Sequence, residues 1–135
     1  METEQRNLSR DEFPSSQELE EFVAEVMAAW RADGGEPDIG AYLPAWLEEA
    51  GLQIESIRPL LFIAAPGDPM WQWPEAFVRV GLERLVTLGR LSPVRATAIA
   101  AAFNAAARQP AMRMVTPGVA EVIATRPAGA VTTRP

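Results

Sequence analysis

The sequence predicts a mostly helical α/β chain built around an antiparallel strand pair. Two observations carry this. Four segments repeat apolar residues at helical spacing, each bounded by a Gly, Pro or Ser signal, and two apolar, β-branched runs lie far apart in sequence at 52–64 and 119–123. A two-stranded sheet is marginal alone, so each strand needs the other and a covering helix. With 135 residues and 48% apolar content, one compact domain over about residues 15–127 is expected.

Residues 1–14 are polar and aperiodic and are expected to be mobile, as is the Ala/Thr/Pro-rich tail over 128–135. The first helix starts at Ser15, where Ser15 and Glu18 match the capping box that satisfies free amide donors. Leu19, Phe22, Val23, Val26, Met27 and Trp30 form its stripe, and Gly34-Gly35 closes it. Asp38 is placed to cap a second helix from about Ile39 to Ala50, with Pro44 inside it and Gly51 as its stop. From Leu52 to Ala64 the apolar run, interrupted by Pro59, fits a strand.

After Pro66-Gly67-Asp68-Pro69 a third helix is expected from Pro74, with Phe77, Val78, Gly81, Leu82, Leu85 and Leu88 along one face and Gly89 at its end. Ser92-Pro93 opens an alanine-rich fourth helix to Arg108, where Ile99 and Phe103 sit four apart. Met112 to Val115 and the alternation of Val119, Glu121 and Ile123 read as extended chain, bent at Pro117-Gly118.

Charge is unevenly placed. Residues 1–55 hold 14 acids and three arginines, and residues 56–135 hold four acids and nine arginines. The arginines are scattered through helix patterns without interleaved aromatics, which argues against nucleic-acid binding and leaves a solvated face or a contact between the two halves. Glu18, Glu20, Glu21 and Glu25 crowd one helix start, where the positive helix end favours them.

The chain has no histidine and no cysteine, so histidine bases, Ser-His-Asp triads, thiolate nucleophiles and histidine or thiolate metal sites cannot be built from it. No phosphate-cradling glycine pattern is present. No apolar run reaches the ~18 residues of a membrane span, and Met1 to Phe13 is not a targeting pattern, so a cytoplasmic protein without membrane contact is expected. The aromatic residues Trp30, Tyr42, Trp71 and Trp73 have two readings: core contacts, or the walls of an apolar pocket.

One succession is more informative than any residue. Leu43-Pro44-Ala45-Trp46-Leu47-Glu48-Glu49-Ala50-Gly51-Leu52 feeds an apolar strand, Pro66-Gly67-Asp68-Pro69-Met70-Trp71-Gln72-Trp73-Pro74 opens a helical excursion, and Met114 to Ala124 runs into a closing strand. This order resembles the C-terminal half of class I S-adenosylmethionine-dependent methyltransferases. In that family a helix ending in an "AGF"-like turn feeds the sixth strand, and the last strand pairs with it as a hairpin partner.

The resemblance spans roughly residues 16–127 and implies the last strands of a methyltransferase sheet, with methyl transfer from S-adenosylmethionine to a small-molecule acceptor. The family's cofactor site, a glycine-rich turn after the first strand and an acid ending the second, has no counterpart here. The chain is therefore expected to be a substrate-side portion, inactive alone, completed by an N-terminal methyltransferase half or self-associating through an exposed sheet edge. By position the resemblance places Trp30, Tyr42, Met70, Trp71 and Trp73 on the acceptor side. The alternative is a helical module that binds a partner through an acidic face and an exposed strand edge.

Overall fold

The computed structural model describes residues 16–129. Its elements are α1 (Gln17–Ala32), α2 (Ile39–Glu49), β1 (Gln53–Leu60), β2 (Ile63–Ala64), a 3₁₀ turn (Pro69–Trp71), α3 (Gln72–Thr87), α4 (Pro93–Ala107), β3 (Met114–Val115) and β4 (Val119–Thr125). The chain is thus a small α/β protein with antiparallel strands. It divides into two units, one of residues 16–35 and 62–116, the other of 36–61 and 117–129. Ser15 and the two segments expected to be mobile lie outside the described residues, apart from 128–129, which form a turn.

The first unit is a three-helix core. α1 contributes Phe22, Val26 and Ala29, α3 contributes Val78, Leu82 and Leu85, and α4 contributes Ile99 and Phe103. Helical spacing marked all of these except Ala29, whereas Val23, Trp30 and Leu88, which it also marked, are exposed. The cap of α1 is Ser16 rather than the expected Ser15: its Oγ accepts from the Leu19 amide at 3.3 Å and donates to Glu18 Oε2 at 3.0 Å. The residue three beyond Ser16 is leucine, so the reciprocal half of a capping box is missing. α3 begins two residues before Pro74 because the 3₁₀ turn at Pro69 leads into it, and Pro74 lies in the first turn, where no amide donor is required. Ser92 caps α4 as expected, accepting from the Arg95 amide at 3.1 Å.

Beside the helices, β2 and β3 pair antiparallel as Ile63 with Val115 and Ala64 with Met114. The adjoining pair is closed by Thr116, whose amide donates to the Phe62 carbonyl at 2.9 Å while its hydroxyl accepts from the Phe62 amide at 3.0 Å. Thr116 is 3% exposed and is the buried polar residue of the core among the described residues. Its hydroxyl does there what a strand carbonyl would do, so the ladder ends without an orphaned donor.

The acidic start and the basic remainder of the chain meet in this unit. Glu21 of α1 accepts from Arg95 of α4 (Nε to Oε2, 2.6 Å), Glu25 pairs with Arg90 at 3.6 Å, and Asp33 pairs with Arg84 of α3 at 3.1 Å. The charge asymmetry is therefore partly consumed by cross-element pairing, and Glu21 and Glu25 are more than a solvated helix start. The Arg95 hydrogen bond holds the Glu21 carboxyl below the ordinary carboxylate value, and Glu21 in turn raises Arg95. Glu18 is lowered too, first by a backbone amide at the helix start and then by the Ser16 hydroxyl.

In the second unit, α2 lies on a two-stranded ribbon of β1 and β4. The helix runs through Pro44 without a break and ends in a Schellman motif: Gly51 donates to Glu48 at 2.9 Å and Leu52 to Leu47 at 2.9 Å. Gly51 sits at φ +82°, which a side-chain-bearing residue adopts only with strain. Asp38 precedes the helix but its side chain makes no capping bond, and its amide donates instead to Glu36 Oε1 at 3.0 Å.

The single strand expected over 52–64 is split into β1 and β2, and the single strand pair becomes two. Within the ribbon, Ile54 faces Ala124 and Ser56 faces Ile123, leaving Glu55 as a bulge residue. This extra residue changes the alternation so that Ile54, Ile57 and Pro59 share one face with Ala124, Val122 and Ala120. α2 rests on that face, where Gly40 approaches Ala120. On the other face Arg58 bonds Glu121 at 2.9 and 3.0 Å. Among the described residues none of this unit is fully buried, and each strand keeps one edge without a ladder partner among them.

Candidate functional site

α1 and α3 pack closely through Phe22 and Gly81, and beside that contact residues of both helices line a cleft of about 340 Å³. α1 supplies Val26, Ala29 and Trp30, and α3 supplies Trp73, Phe77, Val80 and Arg84 along a single stripe at helical spacing. Trp30 is 40% exposed and Trp73 39%, so both indoles present ring surface to the opening. Phe77 meets Trp30 edge-on at 6.3 Å and Phe22 edge-on at 5.5 Å, which fixes the inner wall. Arg84 is the charged group of the lining, held at the rim by Asp33, the residue that ends α1.

The five residues placed on an acceptor side distribute as follows. Trp30 and Trp73 come together in the cleft. Met70 is half-buried against the helical core, and Trp71 is 6% exposed and stacks on Phe103 at 5.7 Å, so both occupy core positions. Tyr42 belongs to the second unit, where it stacks on Trp46 at 5.9 Å. Phe77, Val80 and Arg84 were legible as continuations of the Trp73 stripe at i+4, i+7 and i+11, whereas the Asp33–Arg84 pairing, 51 residues apart, was not.

A larger groove of about 650 Å³ lies between α3 and α4, floored by Val78, Leu82, Ala96, Ala100 and Phe103. Its rim carries Glu75, Arg79 and Glu83, spaced four apart on α3 so that each acid has a basic neighbour one turn away. The groove lacks ring walls around a convergent charge, and the smaller cleft has both. The cleft is therefore the candidate site.

The chemistry available there is recognition and positioning. No carboxylate among the described residues lines the cleft, and the groups with shifted acidity, Glu18, Glu21 and Arg95, lie outside it. Among the described residues no cluster of acids is placed to hold a metal ion, and no helix is long and apolar enough to cross a membrane. No protein-family model, curated protein or solved structure matches the chain.

Proposed function

We propose that this chain is the substrate-side portion of a class I S-adenosylmethionine-dependent methyltransferase that acts on a small molecule in the cytoplasm, and that it does not methylate by itself. The observation carrying this reading is the connectivity of the second unit. A helix stops at Gly51-Leu52 and feeds β1, the chain leaves for residues 62–116, and it returns as β4 antiparallel to β1. This fits the order that the resemblance gives for the family's helix and last two strands, with residues 62–116 as the excursion between them and α1 preceding all three. The unpaired ribbon edges are where the rest of a sheet would add.

The residues present do not fit S-adenosylmethionine. Among the described residues, Gly34, Gly51 and Gly89, all at positive φ, close helices, and Gly67 stands alone after β2 without a second glycine to shape a nucleotide-binding turn. No step through the cofactor is assigned to this chain. Its contribution is to hold an acceptor in the cleft, so that a methyl donor carried on the missing half meets it in line.

The test is methyl transfer from isotopically labelled S-adenosylmethionine. The purified 135-residue chain is expected to transfer none, and transfer by it alone would overturn the proposal. A second reading, a module that recruits a protein partner by strand addition, rests on the same unpaired edges. Since Glu21 and Glu25 are matched by arginines, the edge rather than the acidic face supports it. Size exclusion with light scattering separates the two states of that edge: self-association or strong dye binding supports an open sheet, and a monodisperse monomer without dye binding argues against it.

A further inference from the structure

We infer that the α1–α3 cleft binds a flat aromatic small molecule carrying a carboxylate, with the ring against Trp30 and Trp73 and the anion on Arg84. Two features of the cleft select this class. The first is shape and surface: at about 340 Å³ the cleft lies near the lower end of small-molecule sites, and its walls are ring faces and aliphatic side chains. A planar ring of one or two cycles gains contact with both indoles, whereas a flexible chain of the same volume must be ordered against them.

The second is charge. Among the described residues the lining holds one charged group, and that charge is positive. Arg84 spends one N–H of a terminal nitrogen on Asp33 Oδ2 at 3.1 Å, and a guanidinium has four other N–H donors in the same plane. A ligand carboxylate at the rim can therefore be recognised without breaking the Asp33 contact, and Asp33 holds the fork in place for it. An aromatic cation meets no carboxylate among the described lining residues, and Arg84, which only donates, has no acceptor to offer it. The identity of this ligand as a methyl acceptor rests on the proposed function. Its binding does not.

The probe is 2-naphthoate, compared with neutral 2-naphthamide, titrated into the ¹⁵N-labelled chain with no methyl donor present. The four indole N–H signals report the site directly. Trp30 and Trp73 are expected to shift in a saturable way at a Kd of roughly 0.1–1 mM, while the signals of core-buried Trp71 and of Trp46 in the other unit stay in place. Arg84→Met keeps the aliphatic stem and removes the charge. It is expected to weaken naphthoate about threefold to tenfold and leave naphthamide within about twofold.

Trp73→Ala is expected to weaken both ligands by about tenfold or more. Each variant is first checked for an unchanged spectrum of the buried Trp71. Where that spectrum is lost, competition of 300 mM chloride against naphthoate but not naphthamide in the wild-type chain reads the same charge. Absence of saturable shifts at Trp30 and Trp73, or equal loss of both ligands on removing the Arg84 charge, would overturn the inference. Either failure leaves the methyltransferase reading standing, since that reading is decided by the methyl-transfer assay.

Discussion

Gly81→Ala is the sharpest probe of the helical core. A Cβ at position 81 would stand 2.7 Å from Phe22 Cζ and 2.9 Å from Cε2, with Val26 Cγ2 at 3.7 Å. Carbon atoms in contact prefer about 3.5–4.0 Å, so the ring must retreat by about 1 Å. Phe22 is 1% exposed and braced edge-on by Phe77 at 5.5 Å, so the retreat displaces other core atoms or pushes α1 away from α3. Overpacking of this kind costs about 1–3 kcal/mol. Helix propensity works in the other direction, because alanine in a helix interior is favoured over glycine by about 1 kcal/mol. The net expectation is a loss of up to about 2 kcal/mol, read as a lower urea midpoint by far-UV circular dichroism with the denaturant slope unchanged. Pairing the change with Phe22→Leu removes the colliding ring, so the double-mutant cycle should show favourable coupling of about 1 kcal/mol. A Gly81→Ala protein as stable as the parent or more so, with no coupling to Phe22, would refute the close α1–α3 approach.

Thr116→Val keeps the shape but leaves the Phe62 amide without its acceptor, and a destabilisation of about 1–3 kcal/mol is expected, whereas Thr116→Ser should be milder. Hydrogen exchange at the Phe62 amide reports the loss. Gly51→Ala forces a side chain into φ +82° and should cost about 1 kcal/mol, seen as weaker protection of the Leu52 amide. Glu21 has a lowered folded-state pKa, so its contribution is complete above the ordinary glutamate value of about 4.3 and disappears as pH falls through the folded value. The stability difference between the parent and Glu21→Gln should therefore be constant near neutrality and close in acid. A gap that widens as pH falls would contradict the pairing with Arg95.

Helices were legible because their signals are local. Ser92-Pro93, the Gly51 stop and the Phe22, Val26, Leu82 and Leu85 stripes each depend on neighbours within a turn or two, and each stands where spacing put it. Capping was less legible. Ser15 and Ser16 are equivalent in one dimension, and only the path of the chain gives the Leu19 amide to Ser16. The strand region exposed a different limit: Glu55 as a bulge keeps Ile54 and Ile57 on one face, which simple alternation cannot foresee. The break after Leu60 depends on Phe62 meeting Thr116, 54 residues away.

The aromatic residues divided for a similar reason. Trp71 and Trp73 are two apart and look alike in sequence, yet Trp71 closes the 3₁₀ turn and stacks into the core on Phe103, while Trp73, on the first turn of α3, reaches the cleft. The acidic and basic halves showed that opposite charges were available to pair. Which acid met which arginine followed from the packing of α1 against α3 and α4, and that packing also set Arg84 at the rim.

The claim that this chain is the substrate side of a methyltransferase is tested most directly by translating, in all three frames, the DNA immediately upstream of the Met1 codon. The expected result is an adjacent coding stretch with a strand, a Gly-x-Gly-rich turn leading into a helix, and an acidic residue ending the next strand. An upstream region that encodes no such segment would contradict the catalytic reading for this gene and leave a partner-binding domain as the account of the fold.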